Sequence, residues 1–470
     1  MQDSIVLYPS PGIGHLIGMV EFGRFLLHHY PSFSITILIT TPPTNLGSTA
    51  PYIRHISTKT PSIIIHHLPI ISLPPSSTLL LEILHLNNPN VHHILNTISL
   101  TTNIRAFIID FFCTPALDVA TSLNIPTYYF FPSGGAGLAV LLHFPIIHNT
   151  TTKSFIDLNT HIYFPGVPPI PASDMPEPLL DRTSSPYQYF LDMATHMQKS
   201  KGIIVNTFEA LEARAIKAIS DGICIPNGPT PPVYAIGPLI ADNYQTGGAD
   251  DDAAKCLTWL NSQPSRSVIF LSFGSLGLFS AAQLKEIAIG LENSGHRFLW
   301  VLRSPPTEDT SKHLEVPPDP ILNLDDLLPE GFMERTKDRG LVVQSWAPQI
   351  AVLSRESVGA FVTHCGWNSV LEAVCAGVPM IGWPLYAEQR MNRVFLLEEM
   401  KLAIPMDDSK DGFVSSTEVE KRVRQMMDSE EGKALRERVM VMRDAAMAAK
   451  SEGGSSRVGL AKLAESWNRY

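Results

Sequence analysis

The hydrophobic pattern of this chain switches period again and again, and the whole alternation occurs twice. In the first half, short continuous apolar runs (SIVLYP, ITILIT, SIIIHHL, IRAFIID and TYYFF) are separated by stretches such as HLIGMVEFGRFLLHH, whose apolar positions have helical spacing. Unbroken apolar runs of this length predict strands buried on both faces, and helices between them predict a parallel sheet covered on both sides. The pattern restarts after residue 255: SVIFLSF, RFLWVL, GLVVQSW, VGAFVTH and VPMIGWP read as strands, AAQLKEIAIGLENS and NSVLEAVCAG as helices. The polar, glycine-rich ADNYQTGGADDDA reads as a linker, FPGVPPIPASDMPEP as an extended surface loop, and the stretch from about Thr417 to Trp467 as mostly helix. The expected architecture is α/β, with doubly wound Rossmann-like domains over residues 1–240 and 256–450, a linker over 241–255 and a terminal segment over 451–470. Two such halves are expected to bind ligands in a cleft at the carboxyl ends of their strands.

Composition narrows the class. A chain of 470 residues, 44% apolar and 17% charged, suits two well-buried domains of about 200 residues rather than a disordered protein. A net charge of −10 without any Lys/Arg block argues against a nucleic-acid partner. The start, MQDSIVLYPSPGIGH, lacks a basic n-region, and no run of about 18 apolar residues occurs, so neither a signal peptide nor stable membrane insertion is expected. The five cysteines are odd in number and lack metal spacing, which fits reduced thiols and a cytoplasmic location.

The densest chemistry lies between Trp346 and Gln389, in WAPQIAVLSRESVGAFVTHCGWNSVLEAVCAGVPMIGWPLYAEQ. A glycine-containing loop opens a helix that starts with Asn368 and Ser369, and His364 stands just before it. Unpaired N–H groups and the positive end of the helix dipole make that corner an anion site, most naturally for phosphate. Trp346 offers a flat apolar face, and Glu388 and Gln389 offer hydrogen bonds of the kind that suit sugar hydroxyls. Stacking surface, diphosphate seat and polyol contacts together suggest a nucleotide-sugar site. In YPSPGIGH a strand ends in a glycine loop with His15 at a helix start, and Asp110 ends the strand IRAFIID. GIGH lacks the G-x-G-x-x-G spacing of a dinucleotide-binding oxidoreductase.

The box W-A-P-Q, H-C-G-W-N-S, E, G-V-P, W-P, E-Q resembles, without a gap, the signature of plant secondary-product glycosyltransferases, which move a sugar from a UDP-sugar to small lipophilic molecules. The resemblance implies a GT-B fold, with an acceptor-binding N-terminal half, a donor-binding C-terminal half and a last helix crossing back to the first domain. It implies that Trp346 stacks on uracil beside Ala347, that Gln349 and Glu372 hold the ribose, and that His364, Gly366, Asn368, Ser369 and Ser275 hold the diphosphate. Tyr386, Glu388 and Gln389 would line the sugar; glutamine here goes with glucose, and Trp367 lacks the charge that would pair with a uronate.

By the same resemblance His15 is the catalytic base and Asp110 its orienting partner, in an inverting, metal-independent transfer that needs no cofactor. Asp250, Asp251 and Asp252 formally contain the D-x-D of metal-dependent transferases but read as a solvated run in the linker. The aromatic segments YYFFPSGGAGLAVLLHFP and SPYQYFLDM, with Ile13, Phe112, Ser133 and Phe190, are expected to wall an acceptor pocket. The N-terminal half resembles the branch acting on flavonoids, isoflavones and chalcones. Other phenols, terpenoid alcohols, C-glucosylation and a non-catalytic nucleotide-sugar binder are the competing readings. The expected partners are a UDP-sugar and a small aromatic acceptor, bound by a monomer.

Overall fold

The computed structural model describes residues 1–41, 49–71, 79–241, 250–306, 323–344, 346–409 and 412–467. The chain forms two compact units, one of Met1–Ala241 with Ala446–Tyr470 and the other of Asp242–Ala445.

The first unit is built on strands β1 (Gln2–Tyr8), β2 (Ser34–Ile39), β3 (Ile63–His67), β4 (Thr102–Asp110), β5 (Thr127–Phe131), β8 (Ile203–Val205) and β9 (Val233–Ala235), all parallel in the order β3-β2-β1-β4-β5-β8-β9. Ile5–Tyr8 and Ala106–Asp110 are buried, as the unbroken apolar runs require of strands covered on both faces. A separate antiparallel pair, β6 (His161–Ile162) with β7 (Ile170–Pro171), lies in the proline-rich stretch. That stretch is not the surface loop expected, because Phe164, Val167, Ile170, Ala172 and Met175 alternate with its prolines and are buried. Prolines without N–H groups limit it to a two-residue pair and single 3₁₀ turns. The helix Ser455–Trp467 packs back on this unit: Trp467 is fully buried against Phe33 and Tyr128, and Ser466 Oγ lies 2.9 Å from the Tyr128 hydroxyl.

The second unit holds β10 (Val268–Ser272), β11 (Arg297–Leu302), β12 (Gly340–Gln344), β13 (Val358–Thr363), β14 (Met380–Gly382) and β15 (Ala403–Pro405), parallel in the order β12-β11-β10-β13-β14-β15. Every residue of β10 and β13 is buried, and Phe270 stacks on Phe361 across the pair at 5.2 Å. Burying one such ring contributes about 1.5–3 kcal/mol, which strengthens the join between the two strands that flank the central loops.

The linker was expected over residues 241–255. Residues 242–249 lie outside the described residues, and 250–255 open the helix Asp250–Asn261 instead. Carboxylates are favourable at a helix N-terminus, and Ala253, Cys256 and Leu260 at helical spacing give it a buried stripe. The chain rejoins the first unit at Ala446, within the helix Glu430–Lys450. Among the described residues no helix is long and apolar enough to cross a membrane, and the five cysteines are unbridged.

Candidate active site

In the first sheet the strand order reverses direction between β1 and β4, so the loops after these neighbours diverge and leave a crevice at their carboxyl ends. His15 comes from the loop after β1, early in the helix Ile13–His29, and Asp110 is the last residue of β4. The two meet: His15 Nδ1 lies 2.8 Å from Asp110 Oδ2, with the Asp110 side chain fully buried and His15 27% exposed. A carboxylate can only accept, so Nδ1 carries the proton and Nε2 keeps its lone pair. The other carboxylate oxygen accepts the Phe112 N–H at 3.0 Å, where Asp110 caps a 3₁₀ turn. Beside it, burial and the negative Asp110 hold the Cys113 thiol protonated, well above its usual range.

The aromatic surroundings follow from the same turn. His15 stacks on Phe111 at 5.9 Å and lies 5.5 Å from Phe112, and Phe190 meets Phe112 edge-on at 5.8 Å. Ile13, Phe112 and Phe190 are half-buried. Ser133 follows β5, and its hydroxyl, sealed from solvent, has no partner among the described residues. The sequence reading missed Tyr189, whose hydroxyl donates to the Phe112 carbonyl at 2.5 Å and so holds the peptide next to the one whose N–H serves Asp110. Its neighbour Phe190 drew attention as an aromatic wall, but a side-chain-to-backbone bond across 77 positions leaves no mark in the sequence.

The second sheet reverses direction between β10 and β13, and the box lies there. After β13 the chain turns through His364, Cys365 and Gly366 into the helix Trp367–Ala376. Cys365 has φ 65°, a left-handed conformation that a residue with a Cβ adopts only under constraint. The His364 ring fills the space that side chains would need at two glycines: a Cβ on Gly366 would stand 2.4 Å from Nε2, and one on Gly274, in the loop after β10, 2.7 Å. Burial pushes the imidazole down to about 4, so it is neutral at pH 7, and its Nδ1 has no partner among the described residues. Gly366 caps the helix in extended conformation; Ser369 is buried and Asn368 half-buried at its first turn. Trp367, also in that turn, is only 4% exposed. Ser275 is exposed, and its carbonyl accepts from the Arg303 guanidinium.

Trp346 is half-buried and Ala347 buried. Gln349 Nε2 donates to Ser369 Oγ at 2.9 Å and to Glu372 Oε2 at 2.6 Å, which joins the two expected ribose residues. Burial raises the Glu372 carboxyl to about 7, against a smaller opposing effect of the Gln349 bond. Tyr386 lies 6.1 Å from the His364 ring, its hydroxyl pushed up to about 12 chiefly by burial. Glu388 is half-buried, but Gln389 is 3% exposed and its Oε1 accepts the N–H groups of Leu385 and Tyr386 at 2.8 and 3.0 Å. Two backbone donors thus fix its amide orientation, leaving Nε2 as the group free of that clamp. Asp250, Asp251 and Asp252 lie in the helix Asp250–Asn261, and among the described residues no three His, Cys, Asp or Glu side chains converge as a metal site.

The family model for UDP-glucoronosyl and UDP-glucosyl transferase matches residues 238–444. The chain is 52% identical to an anthocyanidin 5,3-O-glucosyltransferase of a Rosa hybrid cultivar, with 99% of each covered. It is 48% identical to isoflavone 7-O-glucosyltransferase 1 of Glycine max, with all of each covered. Among solved structures, Phytolacca americana UGT2 complexed with UDP-2fluoro-glucose and pterostilbene has a TM-score of 0.88 and 38% identity, over 99% of this chain and 100% of that one. With two Rossmann-like sheets of the same strand order, and with similarity that runs from end to end, the chain belongs to the UDP-glycosyltransferase family and has its GT-B fold.

Proposed function

We propose that this chain is a UDP-glucose-dependent, inverting O-glucosyltransferase that forms β-glucosides of flavonoid, isoflavone or chalcone phenols. The observation that carries the proposal is the 2.8 Å His15–Asp110 pair, set among Phe111, Phe112 and Phe190. Relatives named for anthocyanidin and isoflavone glucosylation support the acceptor class.

With Nδ1 held by Asp110, Nε2 of His15 takes the proton of the acceptor hydroxyl, and the buried carboxylate balances the imidazolium that forms. The acceptor oxygen forms its bond to the anomeric carbon from the face opposite UDP. The bond from that carbon to the diphosphate oxygen breaks, and UDP leaves with the electron pair, so an α-linked donor gives a β-glucoside. Charge developing on the diphosphate is met by N–H groups at the start of the helix Trp367–Ala376 and by an N–H of His364. The neutral state of His364 makes it a hydrogen-bond donor rather than a counter-cation.

Charge reception by a helix end supports a transfer that uses no metal. Gln389 and the uncharged Trp367 support glucose over galactose and glucuronate. Five free cysteines suit a reducing, cytoplasmic setting. The test is product formation with UDP-glucose, UDP-galactose and UDP-glucuronate at equal concentration against a panel of flavonoids, chalcones, simple phenols and terpenoid alcohols, read by mass, with and without excess EDTA. O-glucosides of flavonoid-type phenols that survive EDTA are expected. Faster transfer from another donor, a C-glucoside, a terpenoid preference or a collapse restored by magnesium would each replace the corresponding part of the reading.

A further inference from the structure

The box ends at Gln389, but the helix it enters, Gln389–Val394, carries a second buried amide one turn further on. Gln389 and Asn392 are 3% and 2% exposed and, three positions apart, share a face of the helix. Gln389 holds the loop at Leu385 and Tyr386, and Asn392 Nδ2 donates to the Cys365 carbonyl at 3.0 Å. Each clamped loop contains a left-handed residue that is not glycine, Cys365 at φ 65° and Ala387 at φ 56°. One helix face thus holds both strained turns of the box.

The Cys365 carbonyl belongs to the same peptide plane as the Gly366 N–H. In a trans peptide the two point in opposite directions, so pinning the carbonyl onto Asn392 aims the N–H away from it. Gly366 also packs directly on the His364 ring, so the same peptide sets where the imidazole stands. Thr363 Oγ1 accepts the Cys365 N–H at 3.3 Å, a long bond that leaves the Asn392 contact as the tighter constraint. The Asn392 amide is thus the side chain that fixes this plane: turning the peptide over, by rotation about ψ of Cys365 and φ of Gly366, would break its bond to the carbonyl and reverse the Gly366 N–H.

We propose that Asn392 is a positioning residue for the UDP-sugar: it holds the Cys365–Gly366 peptide in the orientation that presents the Gly366 N–H and the His364 imidazole to the diphosphate. This rests on residues 364–369 being the diphosphate seat. Asn392→Ala and the isosteric Asn392→Asp, which cannot donate, are the central variants, measured in the full chain by titration with UDP alone and by steady-state kinetics. Each is expected to raise the UDP Kd and the UDP-glucose KM by about tenfold, with the KM of a phenolic acceptor unchanged within about twofold. His364→Ala, in the same titration, tests the seat itself: unchanged UDP affinity there means the seat reading fails, whatever Asn392 does. If His364→Ala weakens UDP and both Asn392 variants leave it intact, the positioning role is overturned, and so it is if they lower only the thermal midpoint. Cys365→Gly guards against general misfolding, because glycine adopts the left-handed turn without steric strain. Glycine also tolerates the reversed ψ that the flipped peptide requires at positive φ, so on that background Asn392→Ala is expected to lose at least as much UDP affinity as on the native one, and a clearly smaller loss overturns the proposal.

Discussion

The two Rossmann-like units each place a histidine at the topological switch point, one on either side of it, and surround the two with opposite electrostatics. Both sheets run 3-2-1-4-5 through their first five strands, and both histidines follow a strand that borders the reversal point, β1 for His15 and β13 for His364. His15 is part-exposed and bonded to a buried carboxylate; His364 is buried, bonded to no carboxylate among the described residues and driven to about 4. A carboxylate makes an imidazole a base that can become positive, and burial without one keeps it a neutral donor. The scaffold fixes the location, and in the proposed mechanism one neighbouring residue decides between accepting a proton and receiving a leaving anion.

The comparison breaks most visibly at His15. His15→Ala should reduce turnover by about 10²–10⁴ while leaving UDP binding intact, because every residue assigned to the donor lies in the other unit. Asp110→Asn should also lose turnover, and the double variant should lose no more than the worse single one, as expected of a pair acting together. Single and double variants assayed on a phenol and on an aliphatic alcohol will decide it; near-normal turnover of His15→Ala on the alcohol would remove His15 as the base.

Next in size is the space around His364. Gly366→Ala puts a methyl 2.4 Å from the ring nitrogen, so the imidazole must leave its position. Overpacking of this kind costs about 1–3 kcal/mol, and we expect UDP affinity to fall by about 5–150-fold, measured calorimetrically. Native affinity would show that the ring's placement does not matter to the donor.

Glu372 sharpens the contrast through pH. Its folded value, raised from 4.5 to about 7 by burial, means that the folded chain binds this proton more tightly than the unfolded chain. Its contribution to stability is therefore present at low pH and declines as pH rises from about 4.5 to about 7. UDP affinity should move the other way, since the ionised carboxylate is the form that accepts ribose hydroxyls. Between pH 8 and pH 6 the affinity should drop about tenfold, with proton release on binding near pH 7, and Glu372→Gln should flatten the profile. The smallest effect is expected for His364→Asn: a neutral hydrogen bond contributes about 0.5–1.5 kcal/mol, so UDP binding at pH 7.5 should weaken by about 2–13-fold. A much larger loss would mean a charged imidazole.

Much of this was legible because strands buried on both faces write themselves as unbroken apolar runs. All ten runs read as strands contain one, and the helix start at Trp367 follows the glycine turn. β8, β9 and β15, three residues each, were not among the runs read as strands, and the helix at Asp250 was hidden by an acidic start that resembles solvated linker. Glutamine at 389 could be read as a sugar ligand, but not that its carbonyl is committed to its own loop. Asn392 lay outside the motif, although its spacing from Gln389 was a signal in plain view. Hydrogen bonds between distant loops, such as Tyr189 to Phe112, depend on tertiary approach that no local pattern records.

The return of Ser455–Trp467 onto the first unit bears on how the protein is made. The hydrophobic site closed by Trp467 stays unfilled while the ribosome works through about 200 intervening residues, roughly 10–40 s at ordinary elongation rates. Throughout that interval the nascent first unit exposes Phe33 and Tyr128, the rings that Trp467 later covers. The chain whose first unit is translated first is thus completed there last, and the second unit can finish folding before the first.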